Sequence, residues 1–355
     1  MNFFLFPFAI IYGIAVRLRN ALFDIGIFRS VSFDIPVVVV GNLRVGGTGK
    51  TPAIISLSEM LAGKGRVSVL SRGYGRSTNG WHEVSEDSEA SKVGDEPLLI
   101  KRSNPKLDVV VMENRVEGIK RLLKTNPQPQ LVLLDDAMQH RWVRPRYLIL
   151  LTTYHQRYMQ DHLLPMGRLR EPRSAASRAD TIVVTKCPPD LDPHERRSIT
   201  KELNPLGHQN VCFAYEDYPG LTSLSTDQRL RWEEIVDKQV LLITAIADTT
   251  TLCSHIDNQG IEYNHIAFRD HHVFTDSDME RVRIQYEAMG DESAVILTTE
   301  KDAQRIVKWM QNQKFADLPI LAIRHRMQWF EKDRETIEKR LNGIILQNPG
   351  DHTIH

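Results

Sequence analysis

The sequence predicts an α/β fold: a parallel sheet flanked by helices, followed by a smaller C-terminal α/β lobe. Three observations predict it. Near-continuous apolar runs at 37–40, 67–70, 108–112, 131–134, 148–151 and 181–184 have the length and composition of strands buried on both faces. Helix-length patterns at 52–61, 96–102 and 115–124 separate the earlier runs, and that alternation implies right-handed crossovers and parallel pairing. A second set begins near Gln239, with strands expected at 240–246, 264–268, 294–297 and 319–323 and helices at 250–257, 276–286, 301–311 and 332–341. The polar stretch 77–92 interrupts the first set and reads as a surface loop or hairpin. The joint between the sets falls within 205–237. The expected division is an N-terminal helix over 1–28, a sheet core over 29–220 and a smaller lobe over 221–355, with a frayed tail at 347–355.

The 355 residues suffice for one large or two medium domains with buried cores. Forty-five basic side chains balance forty-five acidic ones, so no global field draws the chain to nucleic acid. Cys187, Cys212 and Cys253 are far apart and lack C-x-x-C spacing, which argues against a disulfide framework or a zinc site and fits a reducing cytosol.

The N-terminus stands apart. Residues 1–16 carry no charge and are crowded with Phe3, Phe4, Leu5, Phe6, Phe8, Ile10, Ile11, Tyr12, Ile14 and Val16. As a helix they rise about 24 Å, short of the roughly 30 Å hydrocarbon core. Arg17 and Arg19 follow the apolar run, whereas a secretory signal places its charge first. The preferred reading is a helix lying in one leaflet with both arginines at the phosphate level. A buried core helix is the competing one.

The strongest motif is Gly41-Asn42-Leu43-Arg44-Val45-Gly46-Gly47-Thr48-Gly49-Lys50-Thr51-Pro52, directly after the 37–40 run. A strand, a glycine-rich turn and a helix start present backbone N–H groups to phosphate oxygens, which is a P-loop. Gly46, Gly47, Thr48 and Gly49 would wrap the phosphates, Lys50 would reach the β- and γ-phosphates, and the Thr51 hydroxyl would bind Mg²⁺. Arg44 stands where the usual pattern has its first glycine. The metal's other partner in such folds is an acid at the end of a second strand. The run 131–134 ends in Asp135-Asp136. Asp135 is assigned to the magnesium shell, and Asp136 to a neighbouring metal or charge role or to a helix cap.

Gly94-Asp95-Glu96-Pro97 opens a helix, and local grounds favour Asp95 as its N-cap. Phe268-Arg269-Asp270-His271-His272 has no motif status of its own. Arginines gather at Arg72, Arg76, Arg141, Arg168, Arg170 and Arg173, several in loops where open α/β sheets bind ligands, which suggests a polyanionic substrate.

Together these residues match a family. The P-loop is followed in order by Ser71-Arg72-Gly73-Tyr74, Gly94-Asp95-Glu96-Pro97, Asp135-Asp136 with Gln139-His140-Arg141, Leu169-Arg170-Glu171-Pro172, Asp270-His271 and Thr299-Glu300-Lys301-Asp302. The series resembles tetraacyldisaccharide 4′-kinase, the lipid A 4′-kinase of Gram-negative bacteria. The resemblance implies a peripheral enzyme on the cytoplasmic face of the inner membrane, using ATP and Mg²⁺. It would phosphorylate the 4′-hydroxyl of lipid A disaccharide 1-phosphate with no protein partner. It also recasts Asp95 as the catalytic carboxylate and His271 as its support, and makes Arg72, Glu96, Arg115, Arg141 and Glu171 weaker candidates for substrate or metal contact.

Two rivals lose on residues. A membrane-associated P-loop ATPase switch of the partitioning type carries an extra lysine where Val45 stands, and a GTPase needs N/T-K-x-D where Thr185-Lys186-Cys187-Pro188 lacks the aspartate. A P-loop module without catalysis would not retain Lys50, Thr51, Asp95 and Asp135 together.

Overall fold

The computed structural model describes residues 5–125, 127–290, 293–311 and 314–346. Phe3, Phe4 and the tail 347–355 lie outside them. The described chain opens with α1 (Phe6–Asp24) and continues through β1 (Val37–Asn42), α2 (Lys50–Met60), β2 (Val67–Ser71), β3 (His82–Glu83), α3 (Ala90–Val93), α4 (Asp95–Ser103), β4 (Asp108–Val111), α5 (Arg115–Leu122), β5 (Leu131–Asp135), β6 (Tyr147–Thr153), β7 (Thr181–Cys187), α6 (Pro193–Leu203) and β8 (Asn210–Asp217). It then runs through β9 (Leu221–Ser223), β10 (Arg229–Leu230), β11 (Val240–Thr244), α7 (Thr250–Asn258), β12 (Tyr263–Ala267), α8 (Asp276–Glu287), β13 (Val295–Thr299), α9 (Glu300–Ile306), β14 (Ile320–Ile323), β15 (Arg326–Trp329) and α10 (Glu331–Leu346).

Two sheets result. The first has the order β15-β8-β7-β6-β1-β5-β2-β4-β3, parallel except for its two edge strands. Alternate residues of β1 explain why every position is apolar. Val38 and Val40 pack with Ile54, Leu57 and Leu98 on one face, while Val37 and Val39 pack with Ile119, Ile199 and Leu203 on the other. The second sheet has the order β10-β9-β14-β13-β11-β12 and likewise has a core on each face. The expected loop 77–92 contains β3 and α3. Strands β8, β9, β10 and β15 were not anticipated, because their sequences are short or mixed in polarity.

The chain passes between the sheets twice, after β8 and after β14, and then β15 and α10 return to the first sheet. We propose that the division expected near residue 220 be drawn by sheet, so that 326–346 travels with the first. Near the two crossings, Glu216 is buried beside Lys186 (3.8 Å) and His325 (3.3 Å), and Lys186 also reaches Asp248 at 3.2 Å. Burial would raise the Glu216 pKa, but His325 and Lys186 outweigh it and bring it down to about 2. A depressed carboxylate contributes stability above its unfolded pKa and loses it as pH falls through the folded one. Glu216→Gln is therefore expected to remove roughly 3 kcal/mol at pH 7 and to flatten the loss of stability between about pH 4.5 and pH 2. Urea midpoints across that range check it.

One expectation about α1 needs correction. The helix does not present both Arg17 and Arg19 outward. It continues to Asp24, and Arg19 turns inward to the fully buried Glu171, which Arg178 also holds. Ala9, Gly13, Val16 and Phe23 form its buried face, and the Tyr12 hydroxyl donates to the Arg170 carbonyl at 2.8 Å. At 19 residues the helix is long and apolar enough to cross a membrane by length and composition, yet it lies docked on the protein along its length. Its other face leaves Phe6, Phe8, Ile10, Ile11, Ile14 and Leu18 exposed.

Candidate active site

The first sheet places the phosphate loop by register. Val40 pairs with Asp135, so the last residue of β5 lies beside β1 just before the loop begins at Gly41. The connection from β1 runs to β2 on one side, whereas β5 connects to β6 on the other side of β1, and ligands bind at the strand C-termini of such switch points. The loop is braced from within. The Asn42 side chain donates to Thr48 Oγ1 at 2.6 Å, and Thr185 Oγ1 donates to the Thr48 carbonyl at 2.9 Å. Gly46 and Gly49 adopt φ of 117° and 82°, where a Cβ would be strained. A Cβ on Gly46 would meet nothing within 4 Å, so the loop wraps open space. The α2 N-terminus has no side-chain cap and no acid in its first turn, which leaves its N–H groups for an anion.

Asp135 is 1 % exposed. Its Oδ2 accepts from Ser71 Oγ at 2.9 Å, whereas Oδ1 is buried with no hydrogen-bond partner. Burial, with Glu96 and Asp136 nearby, pushes its pKa up to about 6. A buried carboxylate oxygen left unpaired is costly and is what a cation would satisfy. Among the described residues no group of three His, Cys, Asp or Glu is placed to hold a metal. One carboxylate and the Thr51 hydroxyl nevertheless suit Mg²⁺, which keeps waters and takes its other ligands from phosphates. Asp136 differs. Its φ is 45°, Arg170 donates to both its oxygens (2.8 and 3.1 Å), and Lys50 Nζ stands 3.8 Å from Oδ2. Burial would raise its pKa, but Lys50 and Arg170 hold it below the usual carboxylate value.

Asp95 meets His271 across the two sheets. It is not the N-cap of α4 that local sequence suggested. Gly94 caps the helix at φ 94°, Asp95 is the first helical residue, and Oδ1 accepts from the Glu96 N–H at 3.0 Å. Gly94 packs against Gly73, where a Cβ would come within 3.2 Å of the Gly73 Cα. That contact explains why two glycine-bearing motifs occur together. His271 Nδ1 lies 3.2 Å from Asp95 Oδ2, and Arg305 Nε lies 3.6 Å from the same oxygen. Burial acts to raise the Asp95 pKa, yet His271, Lys301 and Arg305 prevail and keep it below the ordinary value. The Asp95 contact raises the His271 pKa against burial. His271 is held in place at φ 57° by its N–H bond to the Ala245 carbonyl, and Lys301 bridges Glu96 Oε1 (2.9 Å) and His271 Nε2 (3.3 Å).

The weaker candidates divide. Arg115 is buried with Nη2 3.4 Å from the Asp135 carbonyl, and burial lowers its pKa to about 10. Arg72 is exposed nearby, acting electrostatically on Arg115 and His140, and it makes no hydrogen bond or ion pair with the described residues. Arg141 and Glu171 contact α1: Arg141 donates to the Asn20 carbonyl and to Asp24, and Glu171 accepts from Arg19, so both fasten the helix.

The family model for tetraacyldisaccharide-1-P 4′-kinase matches residues 1–345. The chain belongs to this family. The tetraacyldisaccharide 4′-kinase of Flavobacterium johnsoniae is 44% identical over 302 residues, covering 85% of this chain and 86% of its own. That of Phocaeicola vulgatus is 40% identical over 352 residues, covering 98% and 96%. In structure, the chain is similar to the Aquifex aeolicus 4′-kinase crystallised with ATP, with a TM-score of 0.74 at 26% identity, covering 96% of this chain and 98% of that one.

Within this 4′-kinase fold, two residues named in the sequence only within a cluster or motif take definite partners. Lys301 sits in Thr299-Glu300-Lys301-Asp302, whose Thr299 side chain caps α9 by accepting from the Asp302 N–H at 3.0 Å and so aims the helix start at Asp95 and Glu96. Arg170, in Leu169-Arg170-Glu171-Pro172, neutralises Asp136. Both motifs were visible, but the partners lie 205 and 34 positions away.

Proposed function

We propose that this chain transfers the γ-phosphate of ATP to the 4′-hydroxyl of tetraacyldisaccharide 1-phosphate, forming lipid IVA in lipid A biosynthesis. Family membership supports the reaction, and the observation that carries its chemistry is the juxtaposition of a phosphate loop on one sheet with the Asp95–His271 pair spanning both. Asp95 Oδ2 is buried beside His271, and His271, Lys301 and Arg305 hold its pKa below the ordinary carboxylate value, so as a carboxylate it can accept the hydroxyl proton as the phosphoryl group moves. His271 orients that carboxylate, and Lys301 fixes His271. Lys50 and the α2 N–H groups bind the phosphates. Mg²⁺ held by Thr51 and Asp135 would offset charge on the β- and γ-phosphates. Asp136, saturated by Arg170, serves as the charge partner of Lys50 rather than as a metal ligand. Arg72, with no hydrogen bond or ion pair among the described residues, is the candidate for an anionic group of the substrate. The test is stoichiometry: ADP release should depend on added disaccharide and match lipid phosphate one to one. Disaccharide-independent ATP turnover would support a nucleotide switch instead.

The substrate's acyl chains belong in a bilayer, and we assign α1 to hold the enzyme there, on the cytoplasmic face of the inner membrane where ATP is available. The Tyr12 bond to Arg170 places this helix one residue from the Asp136 cluster, and Ile11 and Ile14 project outward at 66% and 58% exposure. Ile11→Asp with Ile14→Asp is expected to lower partitioning onto anionic vesicles by roughly 10²-fold, from the lost apolar burial. Sedimentation with vesicles measures it, and unchanged binding would remove the helix from this role.

A further inference from the structure

Away from the phosphate loop, a cavity of about 380 Å³ opens behind α2, where the chain passes between the two sheets. Its wall brings together Arg324, Arg326 and Arg334, with Glu59 the one acid among the described lining residues, and its apolar lining includes Met60 and Trp329. The sources of these side chains matter. Met60 and Glu59 belong to α2, Arg324 to the crossing after β14, and Arg326 and Trp329 to β15. The wall is rigid: Trp329 Nε1 donates to Ser56 Oγ at 2.9 Å, and the Arg324 N–H donates to the Gly220 carbonyl at 2.9 Å, which ties the two crossings together.

The charges here do not balance locally. Arg326 is committed to Glu300 at 2.8 Å, and Glu300 also accepts from the His325 N–H at 3.0 Å. The guanidinium groups of Arg324 and Arg334 make no hydrogen bond or ion pair with the described residues. Burial lowers the Arg324 pKa, and Arg326 and Arg229 lower it further against the opposing pull of Glu300 and Glu59. In a chain with net charge zero, such a concentration in a concave, partly apolar site is what an anion would offset. The volume lies within the range of small-ligand pockets.

We propose that this cavity is a binding site for a small organic phosphate, its phosphate held between Arg324 and Arg334 and its apolar body on Met60 and Trp329. The site is separate from the phosphate loop and uses none of its residues. The probe is phenyl phosphate, with inorganic phosphate as the comparison, titrated calorimetrically into the full-length protein held saturated with Mg-ADP so that the loop is filled. Phenyl phosphate is expected to bind with one-to-one stoichiometry and more tightly than inorganic phosphate. Arg324→Gln and Arg334→Gln should each weaken it about tenfold, while Arg72→Gln leaves it unchanged. Unchanged thermal melting of the variants shows that they fold. Failure to bind, or binding insensitive to both arginine substitutions, overturns the proposal. Equal affinity for the two probes overturns the apolar subsite.

Discussion

Asp95→Asn is expected to lower kcat for lipid phosphorylation by about 10²–10⁴-fold, the range for losing a positioned general base, and to leave the KM for ATP nearly unchanged. The substitution keeps an acceptor for the Glu96 N–H, which Oδ1 now supplies, so α4 retains its start. It removes the negative charge at Oδ2 that faces His271 and Arg305. Because none of the Asp95 contacts reaches the phosphate loop, nucleotide affinity has no reason to follow. A companion variant separates base from support. His271 helps hold the Asp95 pKa down, so His271→Gln raises that pKa and shifts the acid limb of the kcat profile to higher pH, with a smaller loss at its plateau. A residue that merely stabilised the fold would leave the limb in place.

Lys50→Ala is expected to cost about 10²–10³-fold in kcat/KM, and here nucleotide affinity should fall too. The ammonium group is the loop's own cation, standing 3.8 Å from Asp136 at the start of α2. Its loss takes away charge stabilisation on the transferring phosphoryl group. Lys50→Arg should not restore activity, since a planar fork does not replace a point charge inside a tight glycine turn. Steady-state kinetics with separate ATP and lipid titrations distinguish the two substitutions. Asp95→Asn spares ATP binding, and Lys50→Ala does not.

What was legible in the sequence follows from how local each signal is. The strand of β1, the phosphate loop and Asp135 could be read because apolar run, turn and acid are contiguous in the chain. Parallel pairing then put them side by side without further information. The identity of Asp95 was harder. An acid at a helix start looks the same whether it caps or catalyses, and only His271, from the other sheet, tells them apart. Family resemblance supplied that pairing where residue chemistry alone favoured the cap. The resemblance makes Arg141 and Glu171 candidates for substrate contact, and their hold on α1 was invisible because Asn20 and Arg19 lie more than a hundred residues earlier. Helix α1 carries Arg17 and Arg19 within it, because an arginine inside a helix is tolerated when a buried carboxylate receives it, as Glu171 receives Arg19. Strand β15 was invisible, since Arg-Met-Gln-Trp gains its place only by pairing with β8 more than a hundred residues earlier.

The central claim is that a sugar hydroxyl of the lipid accepts the γ-phosphate at Asp95. Transfer of label from γ-labelled ATP to purified tetraacyldisaccharide 1-phosphate in detergent, comparing wild type with Asp95→Ala, tests it most directly. The account predicts labelled lipid from the wild type, the label at the 4′ position, and a loss of at least about 10²-fold in the variant. Unlabelled lipid from a wild type that still hydrolyses ATP, or full labelling by Asp95→Ala, would contradict it.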